Sequence, residues 1–116
     1  MQQLFNKTKN TIIVGNLLVA DCFWSRLKGL MGKRDMLEND GLLIVPCNSV
    51  HSMFMRFPID LLFLDRDLNI IKIIESFKPW KATPIFRGCH QVIELRAGVA
   101  AKKGVSANDK LVIMNV

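Results

Sequence analysis

Cys47-Asn48-Ser49-Val50-His51-Ser52-Met53-Phe54-Met55-Arg56-Phe57-Pro58-Ile59-Asp60-Leu61-Leu62-Phe63-Leu64-Asp65 is the stretch from which the fold class is read. Val50, Met53, Phe54, Met55 and Phe57 are apolar, with His51, Ser52 and Arg56 between them, an imperfect alternation that predicts a strand with room for a bend. Pro58 lacks a backbone donor and drives Phe57 toward extended geometry, so that strand should end there. Ile59 to Leu64 is apolar except for Asp60, and its length suits a buried strand better than a helix. Asp65-Arg66-Asp67-Leu68-Asn69 closes it with residues that hydrogen-bond their own backbone in turns. Arg56 and Asp60 flank the bend; they are expected either to pin the corner as an ion pair or, for Asp60, to serve as a site carboxylate.

The same reading extends outward in both directions. Ile70 to Phe77 continues as a strand, and the prolines of Lys78-Pro79-Trp80-Lys81-Ala82-Thr83-Pro84 place that segment in a loop. Gln91 to Leu95 and Leu111 to Met114 are further strands; Gly98 to Lys103 suits one helical turn, and Asn108-Asp109 a turn. Upstream, Gln2 to Lys7 and Thr11 to Ala20 read as strands, with Gly15-Asn16 a hairpin turn or bulge. Asp21 caps a short helix from Cys22 to about Met31, on which Phe23, Leu27, Leu30 and Met31 form one apolar stripe. Gly41 to Val45 is a compact strand ended by Pro46. About eight short strands and one helix predict a mainly β protein, a compact antiparallel β-sandwich or barrel.

A length of 116 residues predicts a single domain, spanning 1–116, with a core of its own. Half the residues are hydrophobic and 22% charged, which excludes an unfolded chain. No apolar run approaches the ~18 residues that span a bilayer. Ile12 to Ala20 follows Lys7 and Lys9 in the manner of a leader, but Gly15-Asn16 interrupts it, so it is read as strands and the expected compartment is the cytoplasm. The net charge of +6 suits an acidic partner. The basic residues fall as singles and pairs with no nucleic-acid-binding signature, so nucleic acid is not the expected partner.

The chemical constellations are sparse. Cys22, Cys47 and Cys89 form no C-x-x-C pair and read as free thiols, so no disulfide framework is expected. Cys47 stands four residues before His51, and Cys89 adjoins His90; a metal-dependent hydrolase or metal carrier would draw on Cys47, His51, Asp60 and Glu94. His51 with Met53 and Met55 on one strand face would offer softer ligands. A Cys–His nucleophile pair would need the two groups adjacent in space. No standard catalytic motif is present, and no cofactor is expected. Trp80, between Lys78 and Lys81 on a proline-bounded loop, is the clearest binding cue, although a Trp there also serves to cover one end of a core.

Arg26-Leu27-Lys28-Gly29-Leu30-Met31-Gly32, Gly41-Leu42-Leu43, His51 through Asp60, Val92-Ile93-Glu94-Leu95-Arg96-Ala97-Gly98 and Asn108-Asp109 together resemble the small family called domain of unknown function 192. The family's pattern runs R-x-x-G-L-M-G, G-M-L-F, F-W-M-K-N-T-x-I-P-L-D, V-L-E-L-x-A-G and G-D. Met53-Phe54-Met55-Arg56-Phe57 replaces F-W-M-K-N as in a Gram-positive-like subset, and Asn108 replaces a Gly where a positive φ is wanted, which Asn tolerates. The resemblance implies a jelly-roll-like β-sandwich and no known activity. It also implies exported relatives and a cell-surface or pilus-assembly link, which no residue here supports or opposes. The leading expectation is therefore a non-catalytic binding or accessory module for a small ligand, glycan or extended peptide. Its surface would comprise Arg26, His51, Met53, Met55, Arg56, Asp60, Trp80 and Glu94.

Overall fold

The computed structural model describes residues 1–20, 36–53 and 55–116. The helix expected over Cys22 to Met31, and Arg26 with it, lie outside the described residues. Eight strands are described: β1 (Gln2–Asn6), β2 (Thr11–Val14), β3 (Asn16–Ala20), β4 (Asp40–Ile44), β5 (Ile59–Leu64), β6 (Ile70–Phe77), β7 (Gln91–Arg96) and β8 (Leu111–Asn115). A single helical turn, α1 (Val99–Lys102), follows β7, as the sequence suggested.

They form a sandwich of a three-stranded sheet, β2-β1-β8, and a five-stranded sheet, β3-β4-β7-β5-β6, not a closed barrel. The pairings are antiparallel except for β3 with β4, which run parallel in register from Asn16↔Asp40 to Ala20↔Ile44. A parallel pair needs a long connection, and residues 21–39 separate β3 from β4 in the sequence. This pair departs from an all-antiparallel jelly-roll order. Gly15-Asn16 is neither hairpin nor bulge, because β2 and β3 belong to different sheets and the chain changes sheet there. Gly15 N–H donates to Asn39 Oδ1 at 2.7 Å, and an added Cβ would stand 2.8 Å from the Asn39 side chain. A side chain at position 15 would have to displace the exposed Asn39 amide from this bond.

Strand β5 is buried along its whole length, the central strand its apolar run predicted. Because strand side chains alternate in direction, β5 and β7 feed two separate cores. Leu62, Leu64, Ile93 and Leu95 pack between the sheets with Leu4, Ile13, Leu17 and Leu111. Ile59, Leu61, Phe63 and Val92 pack on the opposite face, where Met36, Val50, Met55 and Phe57 cover them.

The cover over that second face is not a strand. Of the run Val50 to Phe57, expected as a strand with room for a bend, the described residues 50–53 and 55–57 form irregular chain with one isolated bridge, His51↔Ala82. Its apolar residues alternate because some of them cap a core, not because they sit in a ladder.

Asp60 is the second correction. It is fully buried, and it makes no ion pair with exposed Arg56. Its Oδ1 accepts from Ser76 N at 2.9 Å; its Oδ2 accepts from Gly98 N and Ala100 N, each at 3.0 Å. The β5–β6 register shifts between Ile59 and Leu61, so the bulge opposite Asp60 frees the Ser76 N–H for the carboxylate. The corner is pinned by backbone donors rather than by arginine. Asn108 does hold a positive φ, 73°, as its place in the turn required.

Candidate functional site

The expected site residues separate into three groups. Met55 is 4% exposed and belongs to the second core. Asp60 and Glu94 are both fully buried but lie on opposite faces of the five-stranded sheet. Asp60 pairs in register with Leu95, and Glu94 with Leu61, so the two carboxylates alternate away from one another. The quartet Cys47, His51, Asp60 and Glu94 therefore does not converge through Asp60, whose oxygens already serve three amides. Among the described residues, no group of three His, Cys, Asp or Glu side chains is placed to hold one metal ion.

His51, Met53, Arg56 and Trp80 fall instead on two loops that run side by side. Cys47 N donates to His90 O at 2.8 Å, Phe86 N to Asn48 O at 3.1 Å, and Thr83 N to Val50 O at 2.8 Å. Ser52 N donates to Lys81 O at 2.8 Å, and Trp80 N to Ser52 O at 2.9 Å. The fully buried Ser52 hydroxyl completes the joint, donating to Lys78 O at 2.5 Å and accepting from Lys81 N at 3.0 Å. Thr83 Oγ1 accepts from Val50 N at 3.0 Å. Two loops that would otherwise move separately are thereby joined into one ribbon, anchored beneath by Val50, Met55 and Phe57 and by Phe86, whose ring lies 4.5 Å from that of Phe63.

The ribbon's outward side chains are unusual in two respects. Trp80 is 60% exposed and its backbone is left-handed at φ 63°; for a bulky residue that geometry is uncommon and persists only where the surroundings enforce it. Met53 and Ile85 are also exposed, at 44% and 71%. Arg56, Lys78, Lys81 and Arg87 of the same ribbon are exposed as well, and residues 47–59 and 78–93 contain no Asp or Glu. Both histidines of the chain belong to this ribbon.

At its inner end, Pro46, Cys47, Asn48, Cys89 and His90 line a pocket of about 210 Å³. Burial raises the Cys89 pKa, so this sulfur stays a thiol at neutral pH and is a poor nucleophile there. The Cys–His pairing weighed from sequence thus brings Cys89 and His90 to one pocket without activating the sulfur. A second pocket, about 320 Å³, lies over α1 between Glu38, Arg96 and Lys102, where Lys102 ion-pairs with Glu38.

Ser52, Thr83, Ile85 and Arg87 were not singled out as site residues from sequence. One signal would have found the ribbon: two acid-free stretches carrying both histidines, readable by charge alone.

Comparison with known proteins places the chain. The pattern of the family DUF192, described as Uncharacterized ACR, matches residues 4–113. A UPF0127 protein of Thermococcus sibiricus is 30% identical over 114 residues, covering 93% of this chain and 72% of the relative. A UPF0127 protein of Pyrococcus furiosus is 27% identical over 113 residues, covering 93% and 95%. These relatives are archaeal and do not speak for the narrower Gram-positive-like grouping. Among solved structures, a Novosphingobium aromaticivorans protein of unknown function superposes with TM-score 0.79 at 19% identity, covering 96% of this chain and 82% of that one. A Sinorhizobium meliloti protein named as a candidate transcription regulator superposes with TM-score 0.76 at 26% identity, covering 96% and 90%. No described helix is long and apolar enough to cross a membrane. The chain belongs to the DUF192 (UPF0127) family, as its motifs implied.

Proposed function

We propose that the protein is a one-domain, non-catalytic binding module whose recognition surface is the ribbon of residues 47–58 and 78–90, directed at a negatively charged partner. The observation that carries this reading is the exposed Trp80, held in a left-handed conformation on an acid-free ribbon that also exposes Arg56, Lys78, Lys81 and Arg87. A rigid β scaffold presenting an aromatic loop is a common way to build recognition. The cations supply long-range attraction, and Trp80 supplies contact area at low conformational cost.

The test is salt-gradient elution from immobilised heparin, used as a generic polyanion. Wild type is compared with Arg56→Glu/Lys81→Glu and with Lys7→Glu/Lys72→Glu, which changes net charge equally at exposed positions off the ribbon. The expected result is a much larger fall in eluting salt for the ribbon pair. Equal falls for the two pairs would remove the ribbon as the recognition surface.

A further inference from the structure

We propose that the partner of this ribbon is an anionic lipid surface, on which the protein docks peripherally; the inference rests on the binding-module reading above. Three observations point to lipid rather than to another polyanion. The exposed apolar side chains include Met53 and Ile85 as well as Trp80. An indole settles at the headgroup level of a bilayer, and aliphatic side chains beside it enter the acyl boundary. Arg56, Lys78, Lys81 and Arg87 are exposed on the same ribbon, and none makes an ion pair with a described residue. Such cations are attracted by the surface potential of anionic lipids.

Val50, Ser52, Lys81 and Thr83 spend backbone groups on bonds across the two loops, and an extended peptide is left as an outcome of the test. Single-stranded nucleic acid is favoured by aromatic platforms in series. Among the described residues the ribbon exposes one aromatic ring, Trp80; Phe86 is turned inward against Phe63.

The test is sedimentation with vesicles of phosphatidylcholine alone and of equimolar phosphatidylcholine and phosphatidylglycerol, with a single-stranded oligonucleotide and a poly-glutamate peptide as competing probes. Wild type is expected to partition onto the anionic vesicles and not the neutral ones. Arg56→Glu/Lys81→Glu should lose about tenfold or more in partitioning, since both attraction and sign are altered. Trp80→Ala and Ile85→Ser, at unchanged charge, should each lose several-fold, and brominated phosphatidylglycerol should quench tryptophan fluorescence less in Trp80→Phe than in wild type. Thermal melts confirm that each variant is folded. Charge-dependent vesicle binding untouched by Trp80→Ala and Ile85→Ser would overturn the lipid inference. So would binding to the oligonucleotide or the peptide with none to vesicles, and in both cases the binding-module reading stands. Equal losses for the ribbon pair and for Lys7→Glu/Lys72→Glu, in vesicle and heparin assays alike, would overturn both.

Discussion

The two faces of strands β5 and β7 are closed by different means. On one face Leu62, Leu64, Ile93 and Leu95 meet the three-stranded sheet, so regular backbone covers regular backbone. On the other, among the described residues, Ile59, Leu61, Phe63 and Val92 are covered by irregular chain through Met36, Val50, Met55 and Phe57. The first arrangement satisfies its polar groups within ladders and has little freedom to vary. In the second, the segment that seals the core also turns exposed residues outward. Greater stability is expected on the sheet-closed face, and recognition on the loop-closed one.

The difference can be broken most forcefully at Asp60. Asp60→Ala leaves one buried amide donor, Ala100 N, and two part-buried ones, Ser76 N and Gly98 N, without their acceptor. A buried unsatisfied donor costs about 1–3 kcal/mol and a wetted one less, so a loss of about 2–4 kcal/mol is expected in denaturant unfolding. A loss near zero would show that the bulge and the α1 turn hold without their staple.

Leu62→Ala and Met55→Ala compare the faces directly. Truncation of such residues costs about 2–5 kcal/mol, and the value depends on how far the site can collapse. Leu62, fully buried between two sheets, should lie toward the upper end, and Met55, on the underside of the irregular ribbon, toward the lower. Equal losses would mean that the cover is as rigid as the sheets.

Acid should loosen the sheet-closed face through Asp109. Burial pushes its carboxyl up, but hydrogen bonds from Asn6 and Ser106 and the Lys9 ammonium outweigh it and hold the pKa below the usual value. A group depressed on folding stabilises fully above its unfolded pKa and ceases to do so as pH falls through its folded one. Asp109→Asn should therefore cost about 1–3 kcal/mol near neutrality, and its deficit relative to wild type should shrink below about pH 4. A deficit constant with pH would refute that linkage.

The smallest effect is expected from the largest side chain on the ribbon. Trp80→Gly removes exposed area and relieves a left-handed backbone, so unfolding stability should change by less than about 1 kcal/mol while vesicle binding falls. A large destabilisation would make Trp80 a covering residue rather than a recognition residue.

The sequence by itself determined the local elements on which this architecture depends. The apolar run Ile59–Leu64 is β5, bounded by Pro58 and by Asp65, whose Oδ1 accepts from Asp67 N and Asn69 N at 2.9 Å each. Strands β6, β7 and β8, the α1 turn and the positive φ of Asn108 likewise follow from period, turn chemistry and residue stereochemistry, all of which act within a few residues. Only the tertiary structure decided that Val50, Met55 and Phe57 belong to a cover and not to a strand, that β3 pairs parallel to β4, and that Asp60 answers to Ser76, Gly98 and Ala100 instead of Arg56. It alone joined Trp80 to Ser52. Alternation reports which side chains seek burial but not what covers them, and a carboxylate's partners are chosen by whichever donors the fold brings within hydrogen-bond reach.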